Sequence, residues 1–369
     1  MKGATVQGTR RYAQRMSSTT ARGHFRDRRG LLTSSIGLGT YLGHWDDHTD
    51  LNYQEAIKRA IKLGCNVIDS AINYRFQRSE RAIGAALKDL FDSGNNSRDE
   101  IIIATKGGFF PFDDEPPRDP RAWVQDNVIT KGIAQPEDIV GGSHCMAPGY
   151  LEDQLARSLD NLGLETVDIY YIHNPESQLE AVSRDEFNKR MRAALEVLER
   201  AAIDGRIASY GTATWNGYRQ KQESRGYLSL AEMVAIAREV GGENHHFKAI
   251  QLPYNLAMPE ALTEANQPVD GEPLSLLMAA DRLGITVMCS ASMLQAKLSQ
   301  NLPPFVETSL KGLTTDAQRA IQFVRSTPGV TTALVGMSQR SHVDENMAVA
   351  AVPIAPVDEF FSMFSSDGA

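Results

Sequence analysis

The sequence predicts a (β/α)8 barrel of the TIM type, and three observations predict it. Eight short β-rich apolar runs recur along the 369 residues. Segments with 3.6-residue apolar spacing separate them, and glycines stand just ahead of several runs, where a helix must stop. Eight alternating strand–helix units close into a parallel barrel more readily than they lie open as a sheet. Barrels with insertions reach this length as one domain.

The strands are expected at 35–40, 66–69, 101–106, 167–173, 207–214, 248–253, 285–290 and 331–336. Leu151, Leu155, Leu159 and Leu162 form one helical stripe; Met191, Ala194, Leu195, Leu198 and Ala202 form a second; Leu276, Leu277, Ala280 and Leu283 form a third. Gly64, Gly163 and Gly284 each precede a strand, where a helix C-cap takes a left-handed residue. The barrel is assigned to residues 31–352, between an extension at 1–30 and a tail at 353–369. The extension carries eight basic side chains (Lys2, Arg10, Arg11, Arg15, Arg22, Arg26, Arg28, Arg29) against one acid, Asp27. Such a composition can mark an organelle transit segment. The preferred reading is an extended lead-in that pairs as a hairpin and caps one end of the barrel.

One connection is abnormal. Residues 107–149 have little helical period and hold Pro111, Pro116, Pro117, Pro120, Pro136 and Pro148, with Phe109, Phe110, Phe112 and Trp123. Loops this long in compact domains are functional or disordered, and the aromatics argue against disorder. The segment leaves the third strand just after Lys106, so it starts at the catalytic mouth. It is expected to be a lid, hinged at Gly107-Gly108, with its aromatics walling the substrate; the alternative is an ordered side-wall with no catalytic part. A smaller excursion covers 254–272.

Composition narrows the function classes. A net charge of −8 with 42% hydrophobic residues suits a globular protein and argues against nucleic acid as a partner. Cys65, Cys145 and Cys289 are too few and scattered for a disulfide framework, which implies a reducing compartment, the cytoplasm. The Asn95-Asn96-Ser97 sequon is then incidental. No apolar run approaches the ~18 residues that span a bilayer, so no membrane partner is expected. Oligomeric state leaves no mark in the sequence.

In such barrels the active site lies at the C-terminal ends of the strands. Asp69, Lys106 and His173 end three consecutive strands and should converge, with Tyr74 in the loop after Asp69. Asp69 beside Lys106 makes a buried ion pair. A lysine beside a tyrosine favours the phenolate, lowering the phenol from its ordinary ~10. With His173 on the substrate oxygen, the four supply a proton donor and an oxyanion clamp for a carbonyl that receives a hydride. Taken singly, each residue could be structural; four at consecutive strand ends are read as a site.

These residues sit in runs that resemble the aldo-keto reductase family: Gly37-Leu-Gly-Thr40, Val67-Ile-Asp-Ser-Ala-Ile-Asn-Tyr74 with Ser79-Glu80, Ala104-Thr-Lys106, and Tyr171-Ile-His173-Asn. The resemblance runs from about residue 31 to about 350, in family order. It implies a barrel that binds NADP(H), with NAD possible, and reduces a small aldehyde or ketone. Tyr74 takes the place of the general acid, supported by Asp69, Lys106 and His173. Gln251 matches the residue that holds the nicotinamide carboxamide, Glu345-Asn346 the pair at adenine, and Gly336-Met-Ser338-Gln-Arg340 the loop at the 2′-phosphate. Gly39, Thr40 and Thr214 complete the cofactor contacts. The spacing of Gly37, Gly39 and Gly43 is one residue too long for a Rossmann fingerprint, and no crossover unit follows.

The chain departs from the family at several points. Ala213-Thr214 replaces a common Ser-Asn, and Ser290-Ala-Ser-Met-Leu294 lacks an aromatic that often stacks under the nicotinamide. Ser338 stands where a basic side chain is expected, leaving Arg340 as the nearest donor, and Arg75 replaces a common glycine. Two arrangements carry metal-ligand residue types, His44 and His48 flanking Asp46-Asp47, and His144-Cys145; neither has a third ligand at fixed spacing, so no metal is expected. His245-His246 is read as a solvated turn. The rival to the enzyme is a nicotinamide-binding regulatory or scaffold protein on the same barrel.

Overall fold

The computed structural model describes residues 2–28 and 30–364. Arg29 of the basic extension and positions 365–369 of the tail lie outside the described residues.

A hairpin, β1 (Phe25–Arg28) and β2 (Leu31–Ser34), leads into the barrel strands β3 (Ile36–Gly39), β4 (Val67–Asp69), β5 (Ile102–Gly107), β6 (Val167–His173), β7 (Ile207–Ala213) and β8 (Phe247–Pro253). A side hairpin follows, β9 (Gln267–Val269) and β10 (Glu272–Leu274), before β11 (Thr286–Ser290) and β12 (Thr332–Gly336) complete the ring. The eight barrel strands are parallel, and β12 returns to β3 with Ala333 opposite Ile36 and Gly336 opposite Gly39. Each expected strand is present, with ends shifted by at most one residue.

Side chains on a strand alternate between faces, and that alternation builds both the core and the site. Val67, Ile102, Ala104, Ile169, Tyr171, Ala213, Ala249, Met288 and Leu334 fill the barrel interior. The same parity carries Asp69, Lys106, His173, Gln251 and Ser290 onto the interior face at the C-terminal rim. A methyl on Gly37 would fall 2.8 Å from Leu334 and 2.9 Å from Thr332, so the interior is filled close around that glycine.

Helices wrap the outside: α1 (Val6–Met16), α2 (Asp47–Lys62), α3 (Arg78–Asp92), α4 (Pro120–Val124), α5 (Pro148–Leu162), α6 (Arg184–Ile203), α7 (Leu230–Gly241), α8 (Glu260–Thr263), α9 (Leu276–Arg282), α10 (Pro304–Ser309), α11 (Asp316–Ser326), α12 (Arg340–Met347) and α13 (Val357–Ser362). Their ends follow from local chemistry. The Asp46 carboxylate accepts from the Thr49 amide to start α2, Ser183 does the same for α6, and Gly163 ends α5 at φ +64°. The predicted stripes face inward, with Leu151, Leu155, Met191, Leu195, Leu198 and Leu276 fully buried. Burial of each such side chain contributes roughly 1.5–3 kcal/mol.

The extension is not extended, because residues 6–16 are helical. Thr5 caps α1, and its face of Thr9, Tyr12 and Ala13 packs on the barrel. A hairpin does form, but over Phe25–Ser34, across the boundary expected at residue 30, and Leu31 with Ala4 closes the floor against the interior side chains. Four of the basic side chains serve this docking. Arg11 and Arg15 pair with Asp99 and Glu100, while Arg26 and Arg28 bond to Val330, Thr331 and Arg325. In the tail, α13 buries Phe360 against Phe323. Two other readings change. His245 is buried and His246 bonds the Glu199 carboxylate at 2.6 Å, so that pair is not a solvated turn. The insertion, too, is no featureless loop: it contains α4 and a small core of Phe110, Val128, Ala134 and Cys145, with Tyr150. Among the described residues, no helix is long and apolar enough to cross a membrane.

Candidate active site

At the C-terminal mouth of the barrel lies a cavity of about 570 Å³. Of the residues expected there, Gly39, Thr40, Asp69, Tyr74, His173, Thr214, Gln251 and Gly336 line it. Lys106 stands just behind, fully buried. Its Nζ donates to Asp69 Oδ2 at 2.7 Å and to the Ser70 carbonyl at 2.6 Å, and lies 4.9 Å from the centre of the Tyr74 ring. The other Asp69 oxygen accepts from Gln251 Nε2 at 2.7 Å. One carboxylate therefore fixes both the lysine and the glutamine. Tyr74 meets the His173 ring edge-on at 5.8 Å and Tyr41 at 5.0 Å.

The electrostatics follow from burial and this one ion pair. Burial pushes the Tyr74 phenol up and the Lys106 charge pulls it down; burial wins, and the pKa is raised. The expected lowering by the lysine is thus overridden here. Burial depresses the Lys106 ammonium, but Asp69 and Tyr74 outweigh it, and lysine stays charged. His173 is driven well below the ordinary histidine range by burial, then by Lys106 and His144, so its ring is neutral. The site presents a protonated phenol and a neutral imidazole beside a buried cation.

Behind it, Glu80 accepts from Thr105 at 2.5 Å and from Asn161, and Ser79 bonds the Thr40 carbonyl at 2.8 Å. The Ser79-Glu80 pair thereby ties the start of α3 to the rims of β3 and β5. The remaining expected contacts lie beyond the cavity. Ser338 and the exposed Arg340 stand at the open start of α12, Glu345 is exposed on that helix, and Asn346 is buried under it. No three His, Cys, Asp or Glu side chains converge as a metal would require, among the described residues.

Sequence reading missed Tyr41, Leu42, Asn73, Trp215 and Met293, all of which line the cavity. Each lies within four residues of a strand end, and that proximity was the available signal. Trp215 is held because Glu176 Oε1 accepts from the amides of Trp215, Asn216 and Gly217 at 2.8–3.3 Å. The loop after β11 contributes Ser290 to Met293 and no aromatic ring. Two buried polar atoms in the lining, Thr214 Oγ1 and Asn73 Oδ1, have no protein partner. With Gln251, they offer an amide-bearing ring matched donors and acceptors.

The lid reading of residues 107–149 needs a flexible joint, and the joint is pinned. A methyl on Gly107 would fall 2.2 Å from the Tyr170 hydroxyl. The Gly108 amide donates to Gln154 at 2.6 Å, and its carbonyl accepts from Cys145 at 2.8 Å. Phe109 alone of the expected aromatics reaches the cavity; Phe110, Phe112 and Trp123 pack on one another.

Known proteins place the barrel among relatives. The chain is 26% identical over 211 residues to an NADH-specific methylglyoxal reductase of Escherichia coli, a match covering 56% of this chain and 55% of that protein's length. It is 24% identical over 336 residues to a candidate voltage-gated potassium channel subunit beta of Schizosaccharomyces pombe, covering 88% and 86% of the two chains. A crystal structure of an aldo/keto reductase from Klebsiella pneumoniae, in complex with NADP and acetate, shares the fold at TM-score 0.61 and 19% identity over 94% of each chain. A profile of the aldo/keto reductase family matches residues 35–301, and a match of that extent means that this chain belongs to the aldo/keto reductase family.

Proposed function

We propose that the protein reduces an aldehyde or ketone to the alcohol with NADPH as hydride donor, NADH serving less well. The observation that carries this is the Asp69–Lys106–Tyr74 group, complete beside a neutral His173 at the floor of one cavity. Gln251, Thr214 and Asn73 would hold the nicotinamide end of the cofactor, and Gly336 to Arg340 with Glu345 and Asn346 its adenosine end. When bound, NADPH supplies the hydride that the carbonyl carbon accepts. Tyr74 donates its phenolic proton to the oxygen, and the adjacent Lys106 ammonium stabilises the phenolate left behind. Asp69 keeps that lysine charged and in register. The neutral His173 has one N–H to give the same oxygen. Three free, buried thiols agree with a reducing compartment such as the cytoplasm.

A panel of carbonyls with NADPH, followed by absorbance of the reduced cofactor, tests this reading. Tyr74→Phe removes only the proton and should lower turnover by about 10²–10⁴ with cofactor affinity little changed. Wild-type turnover in that variant would remove Tyr74 from its role. The match to a channel subunit over 88% of the chain favours one second reading, a nicotinamide-binding regulatory protein. It predicts tight NADPH binding with no carbonyl reduced.

A further inference from the structure

Residue 144 lies at the far end of the insertion, some thirty positions before His173, yet its ring ends on the backbone of the site. His144 Nε2 is 2.7 Å from the His173 carbonyl oxygen, and His144 Nδ1 is 2.9 Å from Gln178 Nε2. Arg190 on α6 bonds the Gln178 oxygen at 2.8 Å and is itself held by Glu186 and the Glu137 carbonyl. The direction of every bond in this chain is fixed. A guanidinium can only donate, so the Gln178 oxygen faces Arg190 and its nitrogen faces His144. His144 Nδ1 therefore accepts, Nε2 carries the proton, and the His173 carbonyl receives it.

That carbonyl needs an external donor. His173 ends β6, and the next residue, Asn174, turns at φ +45° with its amide on Ala213. The ring of Phe109, opposite His144 at the neck of the insertion, stands perpendicular to the His173 ring at 5.0 Å. Gly108 leaves the space: a methyl there would sit 2.9 Å from the His173 carbonyl and 3.0 Å from His144 Nε2. Backbone, ring and glycine of the neck all converge on one residue of the site.

We propose that His144 is a positioning residue for His173, and that the insertion at 107–149 serves as a buttress which delivers it. The proposal rests on the reading of His173 as the donor to the substrate oxygen. His144→Leu removes both bonds. His144→Gln keeps them, because a carboxamide nitrogen can donate to the His173 carbonyl while its oxygen accepts from Gln178. With NADPH saturating and its affinity measured separately, His144→Leu should lower kcat by about 10- to 100-fold, the effect of a misplaced donor. The Kd for NADPH should hold, and His144→Gln should restore most of the loss. A merely structural role predicts a lower folded fraction but normal kcat per cofactor-binding site, and that result would overturn the proposal. Should His144→Leu not fold, Gln178→Leu carries the test, since it frees the ring to turn; a smaller fall in kcat supports the proposal and none refutes it. Tyr74→Phe run alongside separates the two readings. If it stays active the catalytic assignment fails, and if it is inactive while His144→Leu is normal, only the buttress fails.

Discussion

Which of two neighbouring side chains reaches the site is decided by strand parity: Lys106 points into the barrel, and Thr105 beside it points out to Glu80. Strand ends are written in the sequence, so Asp69, Lys106 and His173 were legible there, while Gln251 was legible only through the family resemblance. The phenol's direction of shift was not, because it depends on how deeply the ring sits, and burial outweighed the charge beside it. Arg340 shows how far parity reaches. It lies past the strand, exposed at the first turn of α12, where unpaired amides already favour an anion. With Ser338 lacking charge, Arg340 should supply the discrimination between NADPH and NADH. A hydrogen bond to a charged group contributes roughly 1.5–3 kcal/mol, so Arg340→Ala should reduce the ratio of the two dissociation constants by about 10- to 100-fold. An unchanged ratio would place the contact elsewhere. His144 and Trp215 escaped sequence reading for a related reason, since their partners, His173 and Glu176, lie about thirty or more positions away.

At the scale of elements, the eight strands were legible because both faces are buried and their apolar runs are continuous. α1 was missed because three of its eleven residues are arginine, and only Gly8, Thr9, Tyr12 and Ala13 mark its buried face. The pieces inside the insertion are too short to establish a period. The turn after Tyr74 departs from ordinary geometry, as the loop after β11 does at Leu294, Gln295 and Ala296. Arg75, Phe76 and Gln77 take φ of +49°, +56° and +69° in succession, each costing about 1–2 kcal/mol for a residue with a side chain. What holds them is side-chain bonding. Arg75 Nε donates to the His44 carbonyl at 2.7 Å, its guanidinium pairs with Asp50 and lies over Tyr53, and Gln77 bonds the Pro111 carbonyl at 2.9 Å. The arginine thus does by clamping what a glycine does by freedom. The Arg75 side chain is 2% exposed, so removing its carboxylate strands a buried charge. Asp50→Asn should cost roughly 3 kcal/mol or more and lower kcat through Tyr74. Asp47→Asn, whose side chain is 94% exposed on Arg78, should leave the unfolding midpoint where it was. Equal effects of the two would show that the clamp holds nothing.

At the scale of the whole molecule, one side of the floor is closed by two cations that meet carbonyls rather than carboxylates. Arg26 bonds the Val330 and Arg325 carbonyls, and the fully buried Arg325 bonds those of Val349 and Val352 with Ser35. Burial holds both guanidinium groups down, Arg26 to about 10 and Arg325 to about 9. His24 joins this cluster, with Nε2 on the Gly64 carbonyl at 2.9 Å and Nδ1 on Ser35 at 3.1 Å. Burial first, and then Arg325, push it down to about 3. A proton that the unfolded chain accepts near 6.5 is therefore refused by the folded one. Above pH 6.5 both states hold His24 neutral and it adds no pH dependence. Below 6.5 the unfolded state gains the proton alone, and stability falls until the folded pKa near 3 is reached. By pH 5.0 the loss is about 2 kcal/mol, at 1.36 kcal/mol for each unit. His144, held at about 4 by burial, contributes a similar fall at the other end of the barrel. Glu80 and Glu176, raised by burial, act in the opposite sense, so the wild-type slope alone assigns nothing. The difference between proteins does. Urea unfolding of wild type and His24→Asn at pH 7.5 and 5.0 should show the variant losing about 2 kcal/mol less between the two, whatever its stability at neutral pH. Parallel losses would mean that His24 takes up its proton in the folded state, and that the floor tolerates a third charge beside its two arginines.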